Sequence, residues 1–107
     1  MRYVFRKCAS SHSAAGRRYP GFNTAEGTKA LQNLSSGVGN SGLGWYSLFS
    51  NASGNYNTGA GAGTLALNNA DSNTGIGAGA LLSNTTGSSN TATGAFALLS
   101  NTLEVPT

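Results

Sequence analysis

Residues 73–89 read NTGIGAGALLSNTTGSS, and residues 90–102 continue as NTATGAFALLSNT, the same unit in the same register. Working back, NTGAGAGTLALNNADS fills 57–72, NSGLGWYSLFSNASGNY fills 40–56 and NTAEGTKALQNLSSGVG fills 23–39. The five units open at Asn23, Asn40, Asn57, Asn73 and Asn90, at spacings of 17, 17, 16 and 17. A unit this short cannot bury its own apolar face, so the copies must stack on one another.

The register assigns a task to each position. The fifth is always glycine (Gly27, Gly44, Gly61, Gly77, Gly94), as expected at a corner that needs positive φ or close backbone approach once per coil. The ninth is always leucine (Leu31, Leu48, Leu65, Leu81, Leu98), the expected coil core, and the eighth is small (Ala30, Ser47, Thr64, Ala80, Ala97). Asn51, Asn68, Asn84 and Asn101 hold position twelve, ahead of a polar stretch that reads as a turn. Each unit therefore reads as a short strand, a glycine corner, a second short strand around Ala-Leu, and a polar turn. Stacked about 4.8 Å apart, five coils make a body on the order of 25 Å long. The fold class is all-β, a β-solenoid or β-roll of about five coils.

Adjacent apolar residues extend the reading to assembly. In a strand, neighbouring side chains point to opposite faces, so one leucine of Leu81-Leu82 fills the coil and the other faces outward. The outward row Phe49, Ala66, Leu82 and Leu99 would form an apolar stripe that a partner chain covers, which predicts self-association. If Ala-Leu-Leu were instead one helical turn, both leucines would share an inward sector and the chain could be monomeric. Trp45, Tyr46 and Phe49 in the second copy, with Tyr56 after them, break the small-residue pattern. They are candidates either for packing or for a surface that binds a glycan or receptor, with packing favoured.

Composition fits a repetitive scaffold. Charged residues make up 8% of the 107, aromatic residues 8%, and there are 16 glycines. A flexible linker would share that composition, but linkers do not keep Leu and Gly in phase over five copies. The chain divides into a basic arm (1–22), the repeat tract (23–102) and a short tail (103–107). Arg2, Arg6, Lys7, Arg17 and Arg18 lie in the arm, and the tract holds Lys29 against Glu26 and Asp71, with Glu104 beyond it. No recognisable binding fold surrounds these bases, so an assembly contact, with Tyr3, Val4 and Phe5 pairing as a strand, is favoured over nucleic acid.

Catalytic chemistry finds no constellation. His12 is the sole histidine and the acids are scattered, so neither a triad, a carboxylate pair nor a metal site can be assembled, and no cofactor is expected. The GVGNSG match over 37–42 straddles a repeat boundary with no βαβ unit around it, which marks coincidence. Cys8 has no intrachain partner, which leaves an interchain disulfide or an inert thiol, with the thiol favoured. Only Tyr3, Val4 and Phe5 are apolar before the arm's charges resume, too few for a signal-peptide core, and no stretch reaches transmembrane length. Sequons occur at Asn33, Asn51 and Asn84 and matter only where the host glycosylates.

The run N-T-A-x-G-x-x-A-L-x-x-N-T-T-G resembles repeats in the heads and stalks of trimeric autotransporter adhesins and in some phage tail-fibre proteins. That resemblance covers 23–102 and implies a left-handed β-roll, trimeric association and a place at the cell surface. The expectation is a non-enzymatic, self-associating extracellular fibre or adhesin-like rod. A second expectation is an ice-binding solenoid presenting an Asn-Thr ladder (Asn23-Thr24, Asn57-Thr58, Asn73-Thr74, Asn90-Thr91), interrupted at Asn40-Ser41.

Overall fold

A computed structural model of the protein describes residues 21–100. The arm's basic residues, Tyr3 to Phe5, Cys8, His12, Asn101 and the 103–107 tail lie outside the described residues. Five three-residue strands run β1 (Thr24–Glu26), β2 (Ser41–Leu43), β3 (Thr58–Ala60), β4 (Thr74–Ile76) and β5 (Thr91–Thr93). They pair in parallel in the order β1-β2-β3-β4-β5, each residue opposite its equivalent in the next copy, as in Thr58↔Thr74 and Gly59↔Gly75. Parallel strands need a crossover of about a dozen residues or more, and the rest of each unit supplies it. No helix occurs among the described residues, and the architecture is an all-β solenoid with one unit per coil.

In every strand the middle residue faces inward and its neighbours outward. The inward residue is Ala25, Gly42, Gly59, Gly75 or Ala92, because the coil is narrow there. Leu31, Leu48, Leu65 and Leu81 fill its centre at 0% exposure, with Ala30 and Ala80 beside them. Leu98 in the last coil is 47% exposed.

The glycine corner has two physical causes. All five corner glycines have positive φ, between 119° and 135°. A Cβ on Gly77 would also lie 2.7 Å from the carbonyl carbon of Gly94, and Gly27 and Gly61 meet the next coil as closely.

The expected second strand around Ala-Leu is absent, and so is the helical alternative. From the corner to position twelve the chain runs as linked turns with left-handed residues at positions seven and nine, such as Tyr46 (φ 61°) with Leu48 (φ 53°). Hydrogen bonds alternate accordingly. Ser47 N–H donates to Gly44 O (3.2 Å) and Phe49 N–H to Tyr46 O (3.1 Å) within the coil, whereas Leu48 N–H reaches Thr64 O in the next (2.9 Å). A left-handed leucine costs roughly 1–2 kcal/mol. Complete burial of its side chain returns about 1.5–3 kcal/mol, so burial outweighs the strain.

Candidate functional site

Most asparagines of positions one and twelve lie inside, among them Asn57 and Asn73 of the expected outward ladder. Asn40, Asn57 and Asn73 at position one, and Asn51, Asn68 and Asn84 at position twelve, are fully buried. Asn40 Oδ1 accepts from Asn57 N–H (2.9 Å) and Asn57 Nδ2 (3.1 Å), and Asn57 Oδ1 in turn accepts from Asn73 N–H (2.9 Å). Across the coil, Asn51 Oδ1 accepts from Asn68 Nδ2 (3.2 Å) and Asn68 Oδ1 from Asn84 Nδ2 (2.8 Å). The two rows meet at one carbonyl per coil: Ala70 O accepts from Asn57 (2.7 Å) and Asn68 (3.1 Å), and Gly87 O from Asn73 (2.8 Å) and Asn84 (2.9 Å). In the first coil Leu34 holds position twelve and packs against the core instead. A buried amide is tolerated only when its donors and acceptors are met, and stacking identical coils meets them by repetition.

This burial corrects the surface Asn-Thr ladder, since Asn57 and Asn73 are closed to a ligand and only Asn23 and Asn90 at its ends are half-buried. What faces outward is the hydroxyl column Thr24, Ser41, Thr58, Thr74 and Thr91, in direct register and spaced about 4.8 Å apart. Beside it, position four varies as Glu26, Leu43, Ala60, Ile76 and Thr93. Burial also closes two sequons in the folded chain: Asn51 and Asn84 are internal, and only Asn33 is exposed.

The row Phe49, Ala66, Leu82, Leu99 is less uniform than the strand argument requires. Phe49 and Leu82 are half-buried and Leu99 is exposed, but Ala66 is buried and forms a dent, and Gln32 precedes them in the first coil. Leu82 leans into the space above Gly63, its Cδ1 3.5 Å from where a Cβ there would stand. Trp45 (56% exposed) at position six and Phe96 (61%) at position seven widen the apolar surface beyond that row. The alternation of Phe96 with Gly63 and Gly79 at position seven was the available signal for it.

The aromatic candidates separate into two places. Trp45 and Tyr46 sit with ring centroids 4.1 Å apart, Tyr46 stacks on Phe49 at 4.4 Å, and the Lys29 ammonium lies 5.7 Å from the Tyr46 centroid. Ring stacking and the overlying cation fix this cluster from within. Tyr56 stands elsewhere on the coil, its ring lying over Gly39, where a Cβ would come within 2.6 Å.

Among the described residues no group of His, Cys, Asp and Glu is placed to hold a metal ion, and no helix is long and apolar enough to cross a membrane. Asp71 has a structural contact, its Oδ1 accepting from Asn55 N–H at 2.8 Å. The GVGNSG segment runs from the turn into β2, its Gly37 against the next coil's Gly54 carbonyl, with no helix following it. No family model matches the chain, and comparison with curated proteins and with solved structures finds no match.

Proposed function

We propose that the protein is a non-enzymatic structural rod that associates with itself along one side, as an extracellular or cell-surface fibre or adhesin. The observation that carries this reading is the apolar side formed by Trp45, Phe49, Leu82, Phe96 and Leu99. Apolar side chains exposed or half-exposed in the second, fourth and fifth coils, with Ala66 recessed between them, mark an interaction site. A second copy covers it with an apolar side of the same composition. The trimeric state implied by the adhesin resemblance suits a narrow solenoid with one sticky side, and the Trp45–Tyr46 cluster is the place for a glycan on such a rod. No cofactor has a role in it, and neither does nucleic acid. Replacing Leu82 and Leu99 together by Ser tests the reading, with light scattering as the readout: the assembly dissociates while the coils stay folded.

A second reading is supported by the outward hydroxyl column from Thr24 to Thr91. Its regular spacing on a flat parallel face suits an ordered water or ice surface, without the asparagines. Leu43 and Ile76 flank the column with methyl groups. Ice crystals grown with the protein keep their ordinary habit if the rod reading alone is right, and are reshaped if this second one is.

A further inference from the structure

The two ends of the solenoid are not alike. Inside the stack, the position-two N–H donates to the next coil, as Thr74 N–H does to Asn90 O (2.8 Å), and the position-nine N–H does likewise, as Leu81 N–H to Ala97 O (2.9 Å). The position-four carbonyl accepts from the next corner, as Ile76 O does from Gly94 N–H (2.7 Å). In the fifth coil the equivalent Thr91 N–H, Leu98 N–H and Thr93 C=O have no partner among the described residues. The same parallel register leaves Thr93 N–H and Thr91 C=O facing outward. Among the described residues, a Cβ on Gly94 would meet nothing closer than Ala97 Cβ at 4.0 Å. At the first coil, by contrast, Asn23 and Gly27 are already engaged in further interactions, and Glu26 and Lys29 place charge there.

We propose that the fifth-coil end is a self-docking edge, where β5 pairs antiparallel with β5 of a second copy about a twofold axis through Ala92. Thr91 then exchanges N–H···O bonds with the partner's Thr93, and Thr93 with the partner's Thr91. Leu98 is covered by the same coil of the partner. The occupant is a second copy because the edge is complementary to itself. Both threonines present a donor and an acceptor, and reversing an identical strand satisfies all of them. Residues 90–100 carry no charge, so nothing repels across the axis, and β5 has neither the lysine nor the proline that commonly protects an open edge. Head-to-tail stacking would instead bring this edge to the engaged first coil. The joint closes at two copies, and it deepens the self-association reading by adding an interface at the end of the rod to the one along its side.

Small-angle X-ray scattering of the full chain under reducing conditions, which excludes a Cys8 disulfide, separates the two. Thr93→Pro removes an outward donor and places a ring on the edge. The expected result is half the wild-type mass and about half its longest dimension with an unchanged cross-section, whereas loss of the side contact thins the particle. Where circular dichroism shows that variant unfolded, a charge pair decides. Thr91→Lys with Thr93→Lys sets lysine opposite lysine and halves the mass, and Thr91→Lys with Thr93→Glu sets lysine opposite glutamate and restores it. A wild type no longer than one solenoid, or a folded Thr93→Pro protein of wild-type mass and length, overturns the proposal. So does a lysine-glutamate variant that stays at half mass.

Discussion

Thr64 and Gly75 share one space inside the solenoid: a Cβ on Gly75 would lie 2.7 Å from Thr64 Cγ2. The eighth residue of each coil faces the third residue of the next. Ser47 likewise faces Gly59, where a Cβ would come 2.7 Å from Ser47 Oγ, and the smaller Ala80 is followed by Ala92. A larger side chain at one position is matched by glycine at the other. Thr64 cannot simply turn away, because its Oγ1 donates a hydrogen bond to Gly61 O (2.9 Å) or Gly77 O (2.8 Å).

Gly75→Ala should therefore destabilise the fold by about 1–3 kcal/mol through overpacking. The same change in a Thr64→Ala background should cost less, giving a coupling of roughly 0.5–3 kcal/mol in a double-mutant cycle read by urea unfolding. Equal costs in both backgrounds would show that the two residues do not compete for volume.

The buried amide rows lead to a second expectation. Asn57→Ala orphans Asn73 N–H, and leaves the Ala70 carbonyl and Asn40 Oδ1 with one donor fewer each. The one buried donor so orphaned costs about 1–3 kcal/mol, and the loss should be at least that. Asn33→Ala, at an exposed position, should change stability by no more than about 0.5 kcal/mol. Thermal unfolding of the two variants distinguishes internal from surface asparagine, and equal midpoints would contradict the internal rows.

At the corner, Gly77→Val forces a β-branched residue to a φ of 119° and drives its Cβ to within 2.7 Å of Gly94. A loss of at least about 3 kcal/mol is expected, from the strain and the overpacking together. Calorimetry showing an unchanged midpoint would mean that the corner is ordinary.

How legible the fold was follows from what each residue type reveals. Gly77 and Leu81 were readable because a glycine or a leucine kept in phase has few uses: one permits a backbone that other residues resist, the other fills a core. Asn57 was misplaced in an outward ladder because polarity alone does not say whether an amide meets water or a neighbouring amide. Its recurrence at positions one and twelve together, with Gly54, Ala70 and Gly87 following in phase, was the available signal. The left-handed φ of Leu48 leaves no mark on the residue type, so the second strand was expected where linked turns occur. Only Gly63 and Gly79 at position seven hinted at it. The outward row was partly legible: inside–outside alternation separates Leu81 from Leu82 as expected, but the turn geometry buries Ala66 and brings Trp45 and Phe96 to the surface.

Side-by-side association is the central claim, and light scattering of the full chain carrying Thr93→Pro tests it most directly, since that variant leaves only side contacts. The account predicts a mass of at least twice 10.7 kDa, falling to 10.7 kDa when Leu82→Ser and Leu99→Ser are added with the fold intact. Leu81→Ser, which strikes the core, should unfold the chain instead. A folded monomer of 10.7 kDa before any stripe residue is changed would contradict the account.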